Sequence, residues 1–322
     1  MSGHLRKKVG VCFVLLLLSV VISPVCEAQQ YPTKPITLIN PIGAGSATDV
    51  LMRAVLAVMP KYLEQPMVLE LKPGGGGVIG TEIVAKAAPD GYTLLCGGPG
   101  WNSTQPAIAG RSKGPDAFEA ICQINSSSSF TLVRTESPFK KFGDVIAYAK
   151  ANPGKLVFGH TGVWGAADLF WKEVKLQTGI DTRDVSHDGG GPMMTALLGG
   201  HIDIGITAPL VAIPHIKAGK LRALTYNLNK RFAEMPNIPT PKDEGLKAQD
   251  YYWRVVLAPK GTPRPIIDKL AGAFKKVTED KEFIATIAKF GEEPDYIGPD
   301  EFTKIWRAEY EARKELAKVF NK

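Results

Sequence analysis

Short apolar, β-branched runs alternate along this chain with segments whose apolar positions recur at helical spacing. Residues 36–39 predict a buried strand, and residues 50–59 continue as a helix that starts near Thr48 and stops by Pro60 or Leu63. The same strand–loop–helix step recurs with strands at 67–71 and 92–96 and a helix over 78–88. Two more strands, 118–124 and 130–134, flank the polar run Asn125-Ser126-Ser127-Ser128-Ser129, which reads as a linker crossing to a second domain. Beyond it come a helix at 142–151, strands at 155–158, 184–186, 201–207 and 221–225, and helices from Ala166 and near Pro192. A strand at 253–258 returns to the first domain, and helices at 268–277, 281–290 and 299–320 complete the chain. No internal repeat stands out. The last helix is amphipathic, and such a stripe packs against a core.

Strands in a parallel sheet expose their C-terminal loops on one edge, where bare N–H groups at helix starts face the crevice. Three successive strands here end in small-residue loops, at 40–49, 72–77 and 97–103, and that convergence points to a ligand edge. A second set lies at His160-Thr161-Gly162-Val163-Trp164-Gly165 and Ser186-His187-Asp188-Gly189. Ser46 or Thr48 can cap the first helix, with Asp49 in its first turn against the dipole.

The first 28 residues stand apart. Arg6-Lys7-Lys8, an apolar run over 11–22 and the small residue Ala28 make a secretory signal cleaved after Ala28, so the mature protein is expected in the periplasm. The apolar run is too short for a membrane span, which needs about 20 residues. Cleavage removes three basic residues and one acidic one, taking the net charge from +7 to +5. The basic residues are dispersed with no aromatic–basic motif, so nucleic acid is not an expected partner. Cys96 and Cys122 remain in an oxidising compartment, either as a disulfide or as two buried thiols. No His/Cys/acid spacing suggests a metal. No Gly-x-Ser-x-Gly elbow suggests a hydrolase, so no catalytic residue and no cofactor is assigned.

The chain resembles the Bug family, the extracytoplasmic solute receptors of tripartite tricarboxylate transporters. The resemblance spans the mature chain. It rests on Tyr31-Pro32-Thr33-Lys34-Pro35-Ile36, Thr48-Asp49, Lys72-Pro73-Gly74-Gly75-Gly76-Gly77-Val78-Ile79-Gly80 and Ala87-Ala88-Pro89-Asp90-Gly91-Tyr92-Thr93-Leu94. Leu198-Gly199-Gly200-His201-Ile202-Asp203, Gly219-Lys220-Leu221-Arg222-Ala223-Leu224 and Ala258-Pro259-Lys260-Gly261-Thr262-Pro263 continue it. It implies an α/β, two-lobed periplasmic binding protein fold with two crossover strands at the hinge, lobe 1 from 29–128 and 255–322, lobe 2 from 129–254. It implies a monomer, not an enzyme, that closes on a small carboxylate and delivers it to the permease subunits. Other readings are a ligand sensor for a membrane histidine kinase or a secreted α/β enzyme.

The resemblance and the loop positions together nominate Ile42, Gly43, Ala44, Gly45, Ser46, Asp49, Trp101, Asn102, His160, Thr161, Val163, Trp164, His187, Asp188 and Asp203 as ligand-binding. Several depart from the family pattern. A Ser-Pro-Gly loop has become His160-Thr161-Gly162, a small residue has become Trp164, and Pro-Tyr-Lys-Gly has become Ser186-His187-Asp188-Gly189. His160 and His187 either donate to a carboxylate or are polar loop residues. Trp101 and Trp164 either stack on a planar ligand or pack. Asp49 either orients its loop or touches ligand. Asp188, standing where the family is basic, hints at a ligand that is less anionic or carries an amine.

Overall fold

The computed structural model describes residues 31–320, so the leader lies outside the described residues. Two five-stranded sheets follow one plan. In the first, β1 (Ile36–Asn40), β2 (Met67–Leu71) and β3 (Thr93–Gly97) are parallel, and β10 (Tyr252–Pro259) runs antiparallel between β3 and β4 (Phe118–Ser127). In the second, β6 (Val157–His160), β7 (Arg183–Ser186) and β8 (Ile204–Thr207) are parallel. There β5 (Phe130–Arg134) runs antiparallel between β8 and β9 (Leu221–Tyr226). Each sheet therefore takes its antiparallel fourth strand from chain arriving from the other sheet.

The polar run 125–129 is not a linker. Asn125, Ser126 and Ser127 are the last residues of β4, paired with Arg254, Trp253 and Tyr252. Their side chains, which read as loop chemistry, instead find carboxylate partners: Ser126 Oγ donates to the half-buried Asp295 at 2.5 Å and Ser127 Oγ to the buried Glu292 at 3.2 Å. Only Ser128 and Ser129 separate β4 from β5. The return passage is knitted to it, with Asn227 N–H donating to Ser129 O at 2.8 Å and Asp250 N–H to Asn227 O at 2.7 Å.

The helices are α1 (Ala47–Val58), α2 (Val78–Ala85), α3 (Gln105–Ile108), α4 (Phe142–Ala151), α5 (Ala166–Thr178), α6 (Gly190–Leu198) and α7 (Pro209–Lys217). They are followed by α8 (Arg264–Glu279), α9 (Lys281–Ala288) and α10 (Pro299–Phe320). Phe302 and Trp306 of α10 are buried against Trp253, Val255 and Leu257 of β10, as an amphipathic stripe should be, while Ile305 and Val319 stay exposed. Phe158 of the second sheet packs with Phe170 and Trp171 of α5 on the face covered by α4 and α5.

Cys96 and Cys122 are free and buried. Both sit opposite Val256 of β10, one on each side. Two strand spacings separate them by about 9.5 Å, beyond the ~7 Å Cα limit for a disulfide. Burial raises the pKa of both thiols.

Candidate functional site

Four helices start at one cavity. Ser46, Ala47 and Thr48 open α1 after β1, and Gly165, Ala166 and Ala167 open α5 after β6. Gly190 opens α6 after β7, and Ala208 precedes α7 after β8. First-turn N–H groups have no acceptor inside their own helix, and each N-terminus carries about half a positive charge. The cavity encloses about 90 Å³. Its wall also includes Ile42, Pro99, Gly100 and Trp101 after β3, and Ser129, Asp250, Tyr252 and Arg254 where the chain passes between the sheets.

The loops from the two sheets touch over this cavity. Gly43 N–H donates to the Asp188 carbonyl at 3.2 Å. Gly76 lies against Gly162, and Gly100 against Gly165, with no side chain between them.

Of the nominated residues, Ile42, Ser46, Trp101 and Thr161 line the cavity. Trp101 donates its indole N–H to Cys96 O at 3.2 Å, leaving the ring in the wall. Gly43, Ala44 and Gly45 form the rim against Asp188 and Gly191. The others are spent elsewhere. Asn102 accepts from Gly98 N–H and donates to Lys113 O, both at 3.2 Å. Asp203 accepts Val157 N–H at 2.8 Å and so ties β8 to β6. Val163 points to solvent. Asp188 is exposed and contributes its backbone carbonyl. His187 donates its backbone N–H to His160 O at 2.9 Å, and its buried Nδ1 has no partner among the described residues.

His160 is 3 % exposed, stacks on Phe158 with centroids 5.5 Å apart, and places Nδ1 2.9 Å from Gly162 O. Burial pushes its pKa down against the pull of Asp168, so the ring is neutral and braces its own loop. An apolar neighbour and a self-contained loop leave it no cavity face.

The two loops use one device. Asp49 Oδ2 accepts Gly45 N–H at 2.9 Å, and Oδ1 takes Arg53 at 3.0 Å. Asp168 Oδ2 accepts Trp164 N–H at 2.6 Å, and Oδ1 takes Lys172 at 2.6 Å. A carboxylate in the first helical turn thus pulls in the loop four residues back, while a cation four residues on neutralises it. Ser46-Ala47-Thr48-Asp49-Val50-Leu51-Met52-Arg53 aligns without a gap on Gly165-Ala166-Ala167-Asp168-Leu169-Phe170-Trp171-Lys172. The shared spacing of Ala, Asp and a basic residue is the signal by which Asp168 was findable from sequence.

Trp164 occupies the position of Gly45 in that alignment. Gly45 has φ +71° and Trp164 has φ +59°, a left-handed conformation that costs a bulky residue. The cost is offset by packing: Trp164 meets Phe320 edge-on at 5.4 Å and lies beside Ile108 and Ala317, which belong to elements on the first sheet's side. It is a contact between the two sides, away from the cavity. Trp164→Ala is therefore expected to weaken all ligands by a common factor, about 5- to 30-fold for ~1–2 kcal/mol of lost packing. Trp164→Gly should melt no lower than Trp164→Ala, because glycine relieves the backbone. Titration with an aromatic and an aliphatic acid checks this; loss confined to the aromatic acid would return Trp164 to the ligand.

Sequence reading passed over Ser129, Asp250, Tyr252 and Arg254, which line the cavity from the crossing segments. Arg254 is 2 % exposed, donates to Asn125 and to Glu292 at 3.2 Å, and lies 4.8 Å over the Tyr252 ring, while its Nε has no partner among the described residues. Asp250 accepts Ser129 Oγ with Oδ2, keeps Oδ1 unpartnered among the described residues, and is pushed by burial up to about 6. Nothing in its sequence neighbourhood, Ala248-Gln249-Asp250-Tyr251-Tyr252, marks it as a cavity residue.

A family model described as "Tripartite tricarboxylate transporter family receptor" matches residues 51–321. A "UPF0065 protein in gbd 5'region" from Cupriavidus necator is 32% identical over 309 residues, covering 94% of this chain and 92% of its own. The solved structure of the periplasmic binding protein BugD is 28% identical with a TM-score of 0.85, covering 90% of this chain and 98% of its own. MatC from Rhodopseudomonas palustris, solved with bound malate, is 26% identical with a TM-score of 0.85, covering 89% of this chain and 100% of its own.

Proposed function

From the premise that the chain belongs to the tripartite tricarboxylate transporter receptor family, the Bug receptors, we propose that it is an exported receptor for one small carboxylate solute. Family and fold are those of substrate-binding proteins. In this reading residues 1–28 are removed on export, and the solute passes from the receptor to the permease subunits of a tripartite system.

The convergence of four helix N-termini on one cavity carries the proposal. Each N-terminus favours an anion by about 0.3–1 kcal/mol when exposed and up to ~2 when partly buried. Four together supply a large share of the ~8 kcal/mol that a micromolar complex needs. Size agrees. At roughly 10–15 Å³ per water-sized position, 90 Å³ accommodates a ligand of about six to nine non-hydrogen atoms. A four-carbon diacid falls at the upper end, and the MatC structure holds malate, which is such an acid.

Lobe 1 is residues 29–128 and 255–322, and lobe 2 is 129–254. The lobes swing at the segments around Ser129 and Asp250, and ligand favours the closed form because it contacts both sides only there. A thermal-shift panel of di-, tri- and aromatic acids and amino acids tests the reading. A cognate ligand at 100 times its Kd adds about 2.7 kcal/mol, a rise of roughly 5–10 °C for a chain of this size. Absence of any shift across the panel, from protein with a cooperative melt, would overturn it.

A further inference from the structure

We propose that Asp250 selects for carboxylic acids that carry an amine, its unpartnered carboxylate oxygen receiving the ligand's ammonium group while the helix N-termini hold the carboxylate. The inference deepens the receptor reading above and rests on it.

Asp250 lines the cavity and is 2 % exposed. One carboxyl oxygen is satisfied by Ser129, and the other has no partner among the described residues. The residue is held from three directions. Its N–H donates to Asn227 O at 2.7 Å, its carbonyl accepts Ser128 Oγ, and Asn227 Nδ2 reaches Ser129 Oγ at 3.0 Å. A buried acceptor so fixed is preorganised for a donor, and an unpaired one is costly. The cavity wall thus holds four helix N-termini and one buried carboxylate, Asp250. A purely anionic ligand is favoured by the N-termini and disfavoured by Asp250, whereas an amino acid satisfies both. Asp188, the acid that the sequence suggested for this role, is exposed and offers only its carbonyl.

The charge state agrees. Burial raises the Asp250 pKa to about 6, partly offset by Ser129 and by Arg313 of α10, with Glu173 of α5 pushing further up. Tyr252 and Arg254 are the other titratable neighbours in the wall; burial keeps the Tyr252 hydroxyl protonated, and the Arg254 guanidinium is paired with Glu292. An ammonium group arriving at Oδ1 favours the ionised form, so binding of an amino acid strengthens as pH rises through that range.

The test is calorimetric titration of wild type and Asp250→Asn with matched pairs: L-aspartate and succinate, L-glutamate and glutarate, L-phenylalanine and 3-phenylpropionate. Asparagine keeps an acceptor for Ser129 and the same shape, so the variant should melt normally. We expect wild type to bind one amino acid at least about 10-fold tighter than its deaminated partner. Asp250→Asn should lose about 30- to 100-fold for that amino acid, some 2–2.7 kcal/mol at 1.4 per decade, with the deaminated acid bound at least as tightly as by wild type. Wild type should also lose amino-acid affinity between pH 7 and pH 5, and the variant should not. An unchanged ratio, or equal loss for both members of a pair, overturns the role of Asp250 and leaves the receptor standing. Silence from every acid overturns the receptor reading and this inference with it.

Discussion

Gly43→Ala is expected to leave the protein folded and to cost about 10- to 100-fold in affinity for every ligand, the 1–3 kcal/mol typical of an overpacked contact. A Cβ at position 43 would lie 2.5 Å from the Asp188 carbonyl oxygen. That obstacle is backbone, and it belongs to the loop after β7, so no side chain can swing away. The two loops would have to part, which also breaks the Gly43 N–H bond to that carbonyl. Gly43 is outside the left-handed region, so alanine meets no conformational strain there. The burden falls on closure alone. Titration calorimetry and scattering with saturating ligand check it together: weaker binding, with dimensions that stay expanded. Wild-type affinity in the variant would mean that the liganded protein does not bring these loops together.

Glu292→Gln is expected to lower the melting temperature by about 10 °C, without a ligand being present. Arg254 and Glu292 are 2 % and 0 % exposed and 3.2 Å apart. Removing one partner of such a pair leaves a buried charge, at a cost of about 3–5 kcal/mol, and each kcal/mol is worth roughly 2–4 °C in a chain of this size. Arg254→Met with Glu292→Leu should lose less than Glu292→Gln alone, because no charge is left behind. A thermal melt of the three proteins settles the comparison; a loss under about 1 kcal/mol for Glu292→Gln would mean that the guanidinium has other compensation. Since Arg254 also lines the cavity, the pair ties the stability of the crossing segment to the shape of the site.

Asp250, Arg254 and Ser129 show why half of the site was hidden. Each belongs to a segment where the chain passes between sheets, and their spacing in sequence, 129 against 250 and 254, gives no local pattern to read. They meet because β4 and β10 run side by side in the first sheet, and because Asn227 ties Ser129 to Asp250 through backbone hydrogen bonds. His160 and Trp164 illustrate the opposite error. Their loop does face the cavity through Thr161, but a loop places alternate residues on different sides, and sequence does not say which. His160 turned onto Phe158, and Trp164 onto Phe320 and its neighbours.

What the sequence by itself determined was whatever depends on short-range signals. Apolar β-branched runs specified the strands, Ser46 and Asp49 specified the start of α1, and small-residue loops after successive parallel strands specified the edge where the cavity lies. The ordered motifs from Lys72 to Pro263 specified the two-lobed fold and the family. Only the tertiary structure decided that Asn125–Ser127 is strand and not linker, that Val256 keeps Cys96 from Cys122, and that Asp250, with one oxygen unpaired among the described residues, shares a cavity wall with four helix N-termini. Backbone propensity and loop chemistry act over a few residues and are written locally. Side-chain direction, burial and the satisfaction of a polar atom depend on which distant segments arrive beside it, and those neighbours exist only in the folded chain.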